Sequence, residues 1–171
     1  MANYLNTIYS EKTVTSKIDS IKSMIGAEMV HHRKKWGGKM ETWDRNVKVL
    51  SDFGSHRPHY MRQHMQAEFG LKDTVVLTIN AAVPGVDKLT FNEMKLKGSF
   101  TGVYFKHLPL DLKVKVKTGY VFKGWKGLES TDKKTKVSPS GDMVIEPIIE
   151  KMQLSGSNGL VIFNEICYSQ D

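Results

Sequence analysis

The sequence predicts an α+β protein: an N-terminal helical segment of about three helices (1–72), then a small antiparallel β module (73–152) with a sandwich or β-grasp-like fold. Apolar residues recur at every third or fourth position up to about Gly70 and at every second position after Thr74. Turn signals rich in Gly and Pro separate the later apolar runs. Residues 153–171 read as a final strand or as the start of a following domain.

The first long helix is predicted from apolar residues at steps of four, three and four: Val14, Ile18, Ile21 and Ile25. Thr13 is its expected N-cap, and Gly37 and Gly38 are expected to end it after a basic last turn. Trp36 and Trp43 are interpreted as anchors that join two helices across this turn.

A second helix is predicted from Trp43, Val47, Leu50 and Phe53. Gly54 is expected to interrupt it, because glycine weakens a helix interior. Pro58 is expected to start a third helix, since proline suits a first helical position. This third helix should end at Gly70.

Strands are predicted after Thr74, over 75–79, 89–96, 110–116, 120–125, 142–150 and 159–169, with a polar loop over 127–136. Pro147 should lie at a sheet edge or bulge, because it cannot donate to a ladder. The lysines that alternate with apolar residues in 110–116 are interpreted as solvent-facing residues that guard a sheet edge, and not as a nucleic-acid stripe.

Composition limits the function classes. Of the formal net charge of +7, residues 1–72 carry +5 and the rest +2. Such a basic segment can attract phosphates or acidic surfaces, although a solvated basic surface is the commoner explanation. We expect no membrane span and see no secretory signal in the first residues. The single cysteine, Cys167, excludes an internal disulfide and a cysteine-based zinc cluster, and is expected to be a small buried hydrophobe.

No motif for catalysis stands out in the sequence. Five of the six histidines lie in the helical segment, but without the spacing of a metal-binding helix. Phosphate-binding and nucleophile loops are also missing. We therefore assign no catalytic, cofactor-binding or metal-binding residue. Tyr104, Tyr120 and Trp125 are kept as candidate binding residues should they form an exposed aromatic cluster, with core packing as the default interpretation.

Two stretches resemble known sequences. Residues 29–71 are similar to the C-terminal end of the CotH kinase family, the spore-coat-protein-H-like atypical kinases. The matching positions are Trp36, Trp43, Val47, Leu50, Phe53, Arg57, Pro58, Tyr60, Arg62, His64, Phe69, Gly70 and Leu71. The stretch from VVLTIN to GYVFKGWKG resembles the β-rich module of bacterial members and bacterial surface repeats. The final LVIFNEICYS resembles the opening strand of a lamin-tail-type domain.

The resemblance implies a bacterial, extracytoplasmic parent protein, secreted or at the cell surface. It implies ATP and a divalent metal only for an upstream kinase region, which holds the family's nucleotide- and metal-binding residues. The leading hypothesis is a non-catalytic tail whose helices pack on that kinase lobe and whose β module is a spacer or adhesion element. The alternative is a carbohydrate- or protein-binding module at the cell surface. Nucleic-acid binding by the basic helices is the least favoured hypothesis, and a homodimer through an exposed apolar helical face is a further expectation.

Overall fold

A computed structural model describes residues 1–153 of the chain. The helices are α1 (Ala2–Asn6), α2 (Glu11–Trp36) and α3 (Met40–Phe69). The strands are β1 (Thr74–Asn80), β2 (Val86–Phe91), β3 (Met94–Leu96), β4 (Ser99–Phe105), β5 (Leu110–Val116), β6 (Tyr120–Lys126), β7 (Lys134–Val137) and β8 (Met143–Lys151). The α+β class and the change from helix to strand after Gly70 are therefore confirmed. The predicted strand over 159–169, the lamin-tail-like start and Cys167 lie outside the described residues.

The start of the helical segment differs from the prediction at two points. The five-residue helix α1 was missed, because it is shorter than the window in which a helical period can be recognised. The predicted N-cap Thr13 was also wrong. Ser10 is the cap, with extended backbone angles, and its hydroxyl oxygen accepts a hydrogen bond from the Thr13 backbone N–H at 3.3 Å.

Helix α3 is continuous, so the predicted break between a second and a third helix was wrong. Gly54 and Pro58, the residues expected to interrupt the helix, are the two that it buries. A Cβ on Gly54 would lie 2.7 Å from Val14 Cγ1, so glycine lets α2 and α3 approach closely here. A proline inside a helix costs roughly 3 kcal/mol, and the burial of Pro58 offsets part of that cost. Gly70 ends α3 in the left-handed conformation, as predicted.

The strands form two four-stranded sheets that share one core. The first sheet has the order β4-β1-β8-β6 and the second has the order β3-β2-β5-β7. Both contribute to a single cluster of buried residues, which makes this a sandwich. Residues from the first sheet include Leu77, Ile79 and Ile145, and residues from the second include Phe91 and Leu112. The Phe91 and Tyr104 rings meet edge to face with centroids 5.2 Å apart.

Two details of the β module depart from the sequence-based prediction. The pairing of β1 with β8 is parallel, whereas the module was predicted to be antiparallel. Strand β7 overlaps the last three residues of the predicted loop over 127–136. It carries only one buried apolar residue, Val137, so its alternation gave no strand signal. Pro147 pairs with Trp125 of β6, close to the register shift in that ladder. It lies beyond the three residues through which β8 pairs with β1. Both observations agree with the expected edge or bulge position.

The two helical glycines provide a matched test of the α2–α3 contact. Gly26→Ala should raise the free energy of unfolding by up to about 1 kcal/mol, because nothing lies within 4 Å of the added Cβ and alanine favours helix. Gly54→Ala should lower it by about 1–3 kcal/mol, because the Cβ overlaps the stiff Val14 side chain. Urea unfolding followed by circular dichroism at 222 nm measures both, and a stabilised Gly54→Ala variant would contradict the close contact.

Candidate functional site

The helical segment exposes much of its apolar surface. Helix α2 contains no buried residue over its whole length. Leu50 and Phe53 of α3 are 54% and 59% exposed. Further exposed apolar side chains of this segment are Tyr4, Ile8, Tyr9, Ile21, Met24, Ile25, Val30, Trp36, Val49, Tyr60 and Phe69. An apolar surface of this extent is typical of a face that packs against another polypeptide.

The exposure has a geometric cause. The half-buried residues of α2 are at positions 14, 15, 18, 22, 26, 29 and 33, so Lys22 lies at the contact with α3 while Ile21 and Ile25 are exposed beside it. Lys22 Nζ lies 2.7 Å from Asp44 Oδ1 and 5.6 Å from the centre of the Trp43 ring. The apolar stripe read from the sequence therefore leaves the contact between the helices after one turn and continues on the outer surface.

Three helices enclose one apolar groove with a volume of about 420 Å³. It is lined by Met1, Leu5, Tyr9, Val14, Ile18, Leu50, Phe53, Gly54, Arg57 and Met61. Arg57 is the one charged residue of this lining, and its guanidinium lies over the Phe53 ring at 5.6 Å. A groove of this composition suits apolar side chains of another segment rather than a charged ligand. We call it the helical groove.

A polar junction connects the helical segment to the first sheet through Asn6. Its Nδ2 donates to the Val103 carbonyl oxygen at 2.8 Å, and its Oδ1 accepts from the Val103 N–H at 3.0 Å. The same Oδ1 accepts from Arg62 Nη2 of α3 at 2.7 Å. A Cβ on Gly102 would lie 2.9 Å from Asn6 Nδ2, so glycine at this position allows the approach. One carboxamide therefore joins α1, α3 and β4.

Tyr104 and Asn3 form a second layer of the junction. The Tyr104 hydroxyl donates to Asn3 Oδ1 at 2.9 Å, and Asn3 Nδ2 donates to the Asn92 carbonyl oxygen at 2.7 Å. Burial raises the pKa of Tyr104 to about 12, and the nearby charge of Arg62 opposes part of this rise. Burial also lowers the pKa of Arg62, whose Nε is buried without a hydrogen-bond partner among the described residues.

The structure disperses the aromatic residues that the sequence offered as a binding cluster. Tyr104 and Trp125 are core residues, 1% and 3% exposed, and Trp125 Nε1 donates to the Asp132 carbonyl oxygen at 2.9 Å. Tyr120 is half-buried against Gly85. These positions argue against a stacking surface for a sugar or a base.

The two tryptophans of the helices differ in exposure to solvent. Trp43 is half-buried on α3, whereas Trp36 is 71% exposed at the end of α2. The interpretation of Trp36 as an anchor across the Gly37–Gly38 turn was therefore wrong. Both glycines have positive φ angles, so backbone conformation makes this turn without help from that ring.

Two further properties of residues 1–153 bear on the site. Their His, Cys, Asp and Glu side chains include no group of three or more that is placed to hold a metal ion. Their helices include none that is both long and apolar enough to cross a membrane.

Comparison with known proteins places the groove in a family context. Residues 1–61 match the model of the family described as CotH kinase protein. The start of this chain is therefore similar to the CotH family, as the resemblance predicted. All residues that line the helical groove lie within the matched range. No curated protein and no solved structure matches the chain. The likeness of the β module to bacterial repeats stays a prediction.

The junction predicts a specific cost for losing Asn6. Asn6→Ala should lower the free energy of unfolding by about 2 kcal/mol, because the Val103 backbone groups and Arg62 lose buried hydrogen-bond partners together. The exposed Asn46 of α3 is the matched control, and Asn46→Ala should change stability by less than about 0.5 kcal/mol. Chemical denaturation measures both, and equal effects would show that the junction contributes little.

Tyr104 predicts a loss of stability at high pH. Its folded-state pKa of about 12 lies above the ordinary value of 10.0, so folding favours the neutral phenol. This stabilisation is complete below about pH 10 and is lost as the pH rises toward 12. Denaturation between pH 8 and 12 should show a decline that Tyr104→Phe lessens. An unchanged decline in that variant would assign it to other groups.

Proposed function

We propose that residues 1–72 are the non-catalytic C-terminal helices of a CotH-like kinase domain and that the helical groove packs on the kinase lobe of the same polypeptide. The β module then acts as a spacer or surface element beyond the kinase. In this proposal ATP and a divalent metal bind in the lobe and not to residues of this chain. The parent protein works outside the cytoplasm, secreted or at the cell surface.

The groove is the observation that carries this proposal. Every residue of its lining belongs to the family-matched range 1–61, so the family region itself presents the apolar surface. Full burial of a Leu or Phe side chain contributes about 1.5–3 kcal/mol. Leu50 and Phe53 are both more than half exposed, so more than half of that contribution is gained only when another segment covers them.

The junction supports the role given to the β module. Helix α1 has only five residues, yet Leu5 is buried and Asn6 is bonded to both α3 and β4. A module attached by such buried contacts keeps a fixed direction relative to the helices near it. That property suits a spacer better than a freely tethered domain.

The groove can be tested with a charged double variant and a matched control. The kinase region of the parent, supplied as a separate polypeptide, should bind this chain, and Leu50→Glu with Phe53→Glu should weaken that binding at least 100-fold by placing two carboxylates in an apolar contact. Val49→Glu is the control, because Val49 of α3 is 63% exposed but does not line the groove. Isothermal titration calorimetry measures the three affinities.

Several outcomes would contradict the proposal. Equal binding by the double variant and the control would show that the groove is not the contact. Phosphoryl transfer from ATP by the purified 171-residue chain alone would contradict its non-catalytic character. In the absence of the kinase region, light scattering should show self-association that the double variant removes, because the same apolar face is then uncovered.

A further inference from the structure

The outer face of the second sheet gathers lysines from all four of its strands. They are Lys88 of β2, Lys95 of β3, Lys113 and Lys115 of β5, and Lys134 and Lys136 of β7, and all six are exposed. The strand registers place them in adjacent rows: Lys95 and Lys113 flank Thr90, and Lys113 lies opposite Lys134. With strands about 4.8 Å apart and same-face residues about 6.8 Å apart, the patch measures roughly 15 by 14 Å. We call these six residues the lysine face.

The lysine face contains pairs that oppose folding. Lys88 lies directly opposite Lys115, and Lys113 lies directly opposite Lys134. Like charges directly opposite in a sheet are destabilising. Asp87 pairs with Lys115 at 3.2 Å, while Lys113 and Lys134 have no ion pair among the described residues. An external anion would relieve this repulsion.

Protection of sheet edges accounts for only part of the lysine face. Lysines commonly prevent edge strands from pairing with other chains. This reason covers Lys95, Lys134 and Lys136, because β3 and β7 are the edge strands. It does not cover Lys88, Lys113 and Lys115, which lie on the central strands β2 and β5.

The net positive charge of the β module is confined to this face. The six lysines stand against two aspartates, Asp87 and Asp111, for a net charge of +4. The other charged residues between 73 and 153 are seven lysines and seven acidic residues, with a net charge of zero. The small total charge of the module therefore conceals a strongly polarised distribution.

The chemistry of the face limits what it can bind. It has no arginine and no exposed large apolar or aromatic residue among the described positions. Proteins use aromatic and arginine side chains to stack on the bases of single-stranded nucleic acids, and the tightest contacts of protein–protein interfaces depend on the same residues. The face therefore suits neither kind of partner. The charges also spread in two dimensions and not along a groove, so a linear polyanion would reach only one row at a time. A planar array of anionic head groups contacts all rows together and attracts each lysine near its surface.

We propose that the lysine face is a peripheral docking surface for an anionic lipid bilayer, held by electrostatic attraction alone. It does not depend on the docking of the helical groove, which lies on other residues. Contact without an apolar anchor is reversible and strongly weakened by salt. It would hold the β module flat against a membrane that no described helix crosses.

Vesicle co-sedimentation with the full 171-residue chain tests this inference. Binding is measured on phosphatidylcholine vesicles with and without one quarter phosphatidylglycerol, at 50 and 300 mM salt. Each lysine removed should lower the partition coefficient about fivefold. The triple variant Lys95→Gln, Lys113→Gln and Lys134→Gln should therefore lose about 100-fold. Lys12→Gln, Lys34→Gln and Lys39→Gln, exposed on or beside α2, remove the same charge and should lose less than threefold.

The outcomes show whether binding depends on the lysine face or only on the net charge of the chain. Support requires binding that needs phosphatidylglycerol, falls at 300 mM salt and is lost in the sheet variant alone. Equal losses in the two triple variants, or binding that the sheet variant retains, would overturn the proposal. Failure to bind phosphatidylglycerol vesicles would also overturn it. Tighter binding to duplex DNA or to polyphosphate at equal phosphate concentration would assign the face to a soluble polymer instead.

Discussion

The carboxamide of Asn6 is the contact on which the arrangement of helices and strands depends. A five-residue helix has too few internal hydrogen bonds to persist alone, so α1 exists because the sheet and α3 hold it. Asn6 both donates to and accepts from the Val103 backbone, as a neighbouring strand residue would, and Gly102 leaves the space for it. Since Arg62 bonds the same oxygen, α3 is fixed by the same group. The helical groove takes its shape from this junction, because Leu5 and Tyr9 form one of its sides.

Hydrophobic periodicity was sufficient to predict the classes of structure but not their continuity. The strict alternation in β5, with every second residue buried, was read correctly because one face is core and the other is solvent. The continuity of α3 through Gly54 and Pro58 could not be predicted, because local propensity opposes it, whereas Gly54 packs against Val14 and Ile18 and Pro58 is buried. Strand β7 was missed for a related reason: its pairing with β5, and not its own composition, makes it a strand.

The candidate site was predictable in kind and not in position. Apolar residues at helical spacing, at the end of a region that resembles a larger domain, predicted an exposed apolar face. Leu50 and Phe53 belong to that face. The sequence could not show that Lys22 would lie at the contact between the helices and leave Ile21 and Ile25 outside, because that depends on how α2 is rotated against α3. For the aromatic candidates, alternation with smaller residues was equally compatible with core and surface. Tyr104 and Trp125 are core residues because their side chains are buried in the cluster between the two sheets.

The two surfaces differ in the kind of contact they can make, and their placement keeps them apart. The helical groove is apolar, so a partner there is held by removal of surface from water, which salt does not weaken. The lysine face is charged, so its contacts are weak and respond to ionic strength. Helix α1 bonds to β4 of the first sheet and, through Asn3, to the turn between β2 and β3, while the lysines lie on the outer face of the second sheet. The helical groove and the lysine face share no residue, so occupation of the groove leaves the lysines accessible.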